Sequence, residues 1–222
     1  MVPRTGASGD GAGGGRDRLG AGLAFGFIAL LLLTEVVLTL PDVTDSASLV
    51  ATFYAGHRSV IVILQILGFV AAGLFGGYAW RLRSVDRVVG GAGLVTAACA
   101  LVPGVITLVT AILADPANPA AAGRWNSLEP RGDDLLFVGI LVFALAVAVR
   151  LGRRIPSLGV LAGVVALSCL VRLILEAMGK RRGALESVGP LSFLVLVAAM
   201  GILSLRGTLS SGLPRTATSP RG

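Results

Sequence analysis

The fold class the sequence predicts is an all-α bundle of six membrane-spanning helices, on three observations. Of 222 residues, 55% are hydrophobic and only 14% charged, whereas a soluble domain carries about 25% charged residues. The apolar residues come in long unbroken runs, not period-3.6 stripes, so the solvent they face is lipid. The Arg and Lys residues gather in short clusters beside those runs, which is how a membrane protein fixes its orientation. That clustering also accounts for the net charge of +7. Neither a basic face nor an aromatic platform accompanies it, so no nucleic-acid partner is expected.

Residues 1–18 are rich in glycine and carry Arg4, Arg16 and Arg18, and are expected to form a flexible cytoplasmic tail. Gly9, Gly11 and Gly14 match the dinucleotide-binding glycine spacing, but no strand precedes them and no βαβ unit follows. Six apolar segments come next, near 19–40, 59–80, 88–114, 135–149, 155–178 and 188–205. A bilayer core needs roughly 20 helical residues. The fourth segment is short, and the third is long enough to tilt or to bend at Pro103-Gly104. The first exceeds a signal-peptide core of about 7 to 15 residues, and no A-x-A-like cleavage site follows it. Residues 206–222 form a second expected cytoplasmic tail.

Orientation follows from counting basic residues. Arg4, Arg16, Arg18, Arg81, Arg83, Arg87, Arg150, Arg153, Arg154, Arg206, Arg215 and Arg221 fall on one side. The other side has Arg58, Arg124, Arg131, Lys180, Arg181 and Arg182. Positive charge favours the cytoplasm, which places both termini inside and the protein in the plasma membrane, with the 180–182 cluster dissenting.

The longest connection, 115–134, contains Pro116, Pro119, Pro130, Trp125 and an Arg131-Gly132-Asp133 tripeptide. Trp125 is expected in the interfacial aromatic belt. Asp133 and Asp134 are expected at the N-terminus of the fourth span, where the helix dipole favours negative charge. Ahead of the second span, Asp45 or Ser46 can cap a helix in which Leu49, Val50, Phe53 and Tyr54 recur at helical spacing. A continuous helix over 46–83 would be about 57 Å long, against a hydrocarbon core of roughly 30 Å. The excess is expected to lie along the outer interface, with Phe53 and Tyr54 touching lipid, or to fold over the bundle as a lid.

Charged groups inside spans cost about 2.5 to 3.5 kcal/mol each on insertion scales. The candidate polar cluster is Glu35, His57, Arg58, Gln65, Arg172 and Glu176. Glu35, Gln65 and Arg172 each lie about 7 to 9 Å below one surface, the outer one in this topology. Ser168, Arg172, Glu176 and Lys180 form one i+4 stripe, and Arg58 and Gln65 share a face of the second helix. Such groups should face the bundle interior or a wet cavity. Arg172 could snorkel to outer water, pair with Glu35 or Glu176, or line a pocket for a small polar ligand or lipid head group.

No catalytic constellation is legible: the chain has no P-loop, no G-x-S-x-G and no H-E-x-x-H. His57 beside Glu35 is the one conceivable acid–base pair. No catalytic residue, metal site or cofactor is expected, and Cys99 and Cys169 read as small packing residues. Gly22/Gly26, Gly73/Gly77 and Gly159/Gly163 have the four-residue spacing of close helix packing. The expected function is a helical binding or assembly component whose partners are the lipid bilayer and a second copy or another membrane protein. The alternative is a small-solute or ion transporter of three plus three helices.

The stretches "FYAGHRSVIVILQILGFVAA" and "LESVGPLSFLVLV", with the Gly-rich third span, resemble small uncharacterised multi-pass integral membrane proteins of high-GC bacteria. The resemblance covers most of 19–205 and implies no activity and no catalytic residues.

Overall fold

The computed structural model describes residues 11–42, 44–179 and 185–209, the side chains of 11–17, 35 and 185–187 excepted. Among them are seven helices and no strand: α1 Gly11–Val37, α2 Ala47–Leu82, α3 Arg87–Leu113, α4 Ala120–Asn126, α5 Glu129–Arg150, α6 Pro156–Ala177 and α7 Leu185–Leu205. Five carry a stretch long and apolar enough to cross a bilayer, and α1 carries a shorter one over Arg18–Thr34. The chain is an all-α polytopic bundle. Lipid dictates this, because helices alone satisfy every backbone group within their own segment.

The six long helices alternate in direction and close into a ring. Each packs on its neighbour in sequence (α1 on α2, α2 on α3, α3 on α5, α5 on α6, α6 on α7), and α7 returns to α1. Short connections between antiparallel neighbours favour this order. The ring is filled, not hollow. Phe27, Phe75, Phe143 and Phe193, from four different helices, meet at its centre. Phe75 lies 5.1 Å from Phe27, 5.5 Å from Phe143 and 5.4 Å from Phe193, mostly edge to face, the geometry that aromatic quadrupoles prefer.

Without a hydrophobic force between helices in lipid, close packing has to come from small residues. A Cβ on Gly93 of α3 would stand 2.7 Å from the Ala79 Cβ of α2. One on Gly139 of α5 would stand 3.1 Å from both the Thr96 Cα and the Cys99 Cβ of α3. That approach lets the Thr96 hydroxyl donate across the interface to the Gly139 carbonyl at 2.7 Å. The glycine pairs singled out by spacing do not make the tightest helix–helix approaches. Gly22, Gly73 and Gly163 meet nothing within 4 Å, and Gly159 packs against Gly152 in the α5–α6 turn.

Several sequence expectations need correction. Helix α1 begins within the segment expected to be a flexible tail and ends at Val37, so 38–40 leave the helix. Extending a formed helix costs far less than nucleating one, and this carries α1 past its apolar run. Helix α2 is continuous over 36 residues, about 54 Å at 1.5 Å per residue. Its first turns bury Val50, Ala51 and Tyr54 against Ala111, Ala114 and Ala122, so Tyr54 is a core residue and not a lipid contact. The 115–134 connection contains α4 and the first turns of α5, with Trp125 half-buried. Past α7, Leu209 returns to the core, so the second tail starts later than 206; residues 210–222 lie outside the described residues.

At the arginine-rich end, Asp86 joins two helices. Its carboxylate caps α3 by accepting the Val88 and Val89 N–H groups, and it accepts the Nε–H of Arg150, from the last turn of α5, at 2.9 Å. Partial burial works against the charged form, but the Val89, Arg150 and Val88 bonds together outweigh it and hold the carboxyl below its ordinary value. A lowered folded-state pKa gives stability that is complete above the ordinary carboxylate range and fades as pH falls through the lowered value. Asp86→Ala should therefore cost about 1 kcal/mol at neutral pH. It should also flatten the acid limb of a stability-against-pH curve measured by thermal unfolding in detergent.

Candidate functional site

The polar groups of the spans collect at the end of the bundle opposite Asp86, where α1, α3 and α6 finish and α2 and α5 begin. Arg172 anchors them. It lies five residues before the end of α6, and Asp134 lies five residues into α5, so antiparallel packing sets the two at one depth. The Arg172 Nη1 donates to Asp134 Oδ1 at 2.9 Å. The guanidinium carbon also stands 3.6 Å from the centroid of the Phe137 ring, within cation–π range. Only 2% of the Arg172 side chain is exposed, against 30% of Asp134. Removing one member of a buried pair strands the other at a cost of roughly 3 to 5 kcal/mol, and the partly wetted Asp134 puts this pair near the lower figure.

Phe137 is held in place from behind. A Cβ on Gly189 of α7 would come within 2.6 Å of the Phe137 ring. The missing side chain lets the edge of the ring press against α7 while Arg172 lies over its face. Three helices thus meet at one ring.

Arg58 has a different task. Its Nε donates to the Ala111 carbonyl at 2.9 Å and its Nη2 to the Ala114 carbonyl at 2.6 Å. These belong to the last turn and C-cap of α3, where helix carbonyls have no intrahelical partner and the dipole favours a cation. Gln65 is half-buried on the same side of α2, and a Cβ on Gly104, beside the Pro103 of α3, would stand 3.0 Å from its Oε1. His57 is exposed, with Nδ1 2.9 Å from the Phe53 carbonyl and its ring stacked on Phe53 at 4.5 Å.

The candidate cluster is therefore divided. Arg58 and Gln65 face α3, and His57 stays on its own helix. The ion pair described for Arg172 is with Asp134, a residue outside the candidate cluster. Arg172 does not snorkel, since its side chain is buried and paired. Glu176 is half-buried one turn beyond Arg172, and the side chain of Glu35 lies outside the described residues. Asp134 is the residue that sequence reasoning assigned elsewhere. A start for α5 at Glu129-Pro130 would have revealed it, because proline in the first helical turn is a start signal.

Around this pair the described side chains are mostly acidic. Asp42 and Asp133 bear electrostatically on Glu129, which in turn bears on Tyr54. Asn126 is 2% exposed; its Nδ2 reaches the Asp42 carbonyl at 3.5 Å and its Oδ1 has no partner. Among described side chains this end carries Asp42, Asp45, Asp115, Glu129, Asp133, Asp134 and Glu176 against Arg58, Arg124, Arg131 and Arg172. The opposite end carries Arg18, Arg81, Arg83, Arg87, Arg150, Arg153, Arg154 and Arg206 against Asp86. No three His, Cys, Asp or Glu residues converge as a metal site among the described residues.

Gly189→Val should lower thermal stability in detergent by about 1 to 3 kcal/mol, the usual cost of overpacking. Gly163→Val, at a glycine whose added Cβ meets nothing within 4 Å, should leave it within about 1 kcal/mol of the parent. Equal melting temperatures for the two variants would remove Gly189 from the support of Phe137.

No protein-family model matches this chain, and neither a curated protein nor a solved structure does.

Proposed function

We propose that this is a plasma-membrane protein with both termini in the cytoplasm that works by binding or assembly at its acidic outer end. Its partner there is a second copy or, to complement the acidic side chains, another membrane protein presenting positive charge. The observation that carries this reading is the Phe27–Phe75–Phe143–Phe193 cluster. It fills the middle of the ring with apolar rings, whereas a transporter site near the midplane needs polar groups there. The arginines of the opposite end support the orientation.

Two measurements on purified protein separate the readings. Cross-linking should capture an assembly that weakens as salt rises, since exposed charges more than about 8 Å apart are largely screened at 0.15 M. Proteoliposomes carrying a pH-sensitive dye, or loaded with small ions, should show no flux above protein-free vesicles. Protein-dependent flux that Glu35→Gln abolishes would establish transport instead.

A further inference from the structure

A groove of about 260 Å³ lies between the start of α6 and the end of α7, at the arginine-rich end. Its walls are apolar, with Leu158 and Leu161 on one side and Ala199, Ile202 and Leu203 on the other; Ser157 is at its mouth. The flank beside it faces lipid, since Val160 and Val164 of α6 are exposed. An acyl chain is the solvent this groove meets.

The mouth has a different character. Arg206 lies four residues after Ile202 and three after Leu203, so it continues the groove stripe of α7 one turn beyond the apolar wall. Arg153 and Arg154 stand in the turn that leads into Pro156. All three are exposed, and none makes an ion pair among the described residues. Their neighbours are engaged: Arg150 is bound to Asp86, and Arg83 stacks over Trp80 at 4.6 Å. Helix α6 also opens without a side-chain cap, because its N-cap is Ile155. The Ser157 and Leu158 N–H groups, with the positive end of the α6 dipole, lie at the same end of the helix as Arg153 and Arg154.

We infer that this groove is a site for one anionic glycerophospholipid, an acyl chain between α6 and α7 and the phosphate held by Arg153, Arg154, Arg206 and the α6 N-terminus. Apolar walls alone would accept any lipid, and exposed arginines alone would attract any anion. The two adjoin at the end of the same pair of helices, which selects a lipid with a negative head group. The site is independent of the partner-binding end proposed above.

Native mass spectrometry of the purified full chain, titrated with phosphatidylglycerol and with phosphatidylcholine of identical chains, tests this directly. Phosphatidylglycerol should bind more tightly. Replacing Arg153, Arg154 and Arg206 by Gln should weaken it about fivefold per arginine, on the order of a hundredfold for all three. Phosphatidylcholine affinity should be unchanged by that variant. Ala199→Phe, which fills the groove, should weaken both lipids. Arg83→Gln with Arg87→Gln, at the same end on other helices, should weaken neither, and the single Arg206→Gln reads the effect if the triple variant does not fold. Equal affinity for the two lipids would overturn the inference. So would an equal loss in the Arg83/Arg87 variant, or a dimer of the chain appearing where the lipid adduct should be.

Discussion

Arg172 brings a guanidinium into an apolar bundle, where an unpaired ion costs several kcal/mol, so the surrounding structure has to supply its partners. It supplies both from α5, at the depth of Arg172. Asp134 and Phe137 are three residues apart on α5, one helical turn, and so share the face turned toward α6. Phe137 can occupy that face only because Gly189 leaves room behind it. The pair thereby ties the register of α5 to that of α6, and the ring to that of α7. A carboxylate one residue earlier or later on α5 would point about 100° away.

The rest of the bundle follows from the same scarcity of polar partners in lipid. Thr96 satisfies its hydroxyl across the α3–α5 contact, and Arg58 satisfies the last carbonyls of α3. Between these, the middle of the ring is packed with four phenylalanines and aliphatic side chains. Polar chemistry is pushed to the two ends and, among the described side chains, is sorted by charge, acidic at one and basic at the other. A filled centre with chemically distinct ends suits a protein that meets partners and lipids at its surfaces.

The helices were legible because apolar runs of span length have no other physical reading, and the cap at Ser46 was legible because its hydroxyl precedes the first helical turn. Asp134 was not. Segment boundaries drawn from apolar residues placed it outside the fourth span, and polar residues in the first turns of α5 give no hydropathy signal although the helix runs through them. Among residues inside the apolar segments, only Glu35 and Glu176 therefore offer a carboxylate to Arg172. The close glycine contacts were illegible for a related reason. A G-x-x-x-G spacing shows that two glycines share a helix face, but only the crossing point of the neighbouring helix decides whether anything approaches it. Gly93, Gly139 and Gly189 lie at such points and Gly163 does not. The straight extension of α2 needed α4 to bury it, and a seven-residue helix between prolines carries too little periodicity to be seen.

The central claim is that the Arg172–Asp134 pair, and not an isolated arginine, organises the half of the bundle opposite Asp86. A double-mutant cycle measures this most directly: thermal unfolding in detergent of Arg172→Leu, Asp134→Leu and the double variant. The account predicts a large loss for Arg172→Leu, which strands the aspartate, a large loss for Asp134→Leu, which strands the buried guanidinium, and a double variant more stable than their sum by about 1 to 3 kcal/mol. Additive losses, with no coupling beyond about 0.5 kcal/mol, would contradict it.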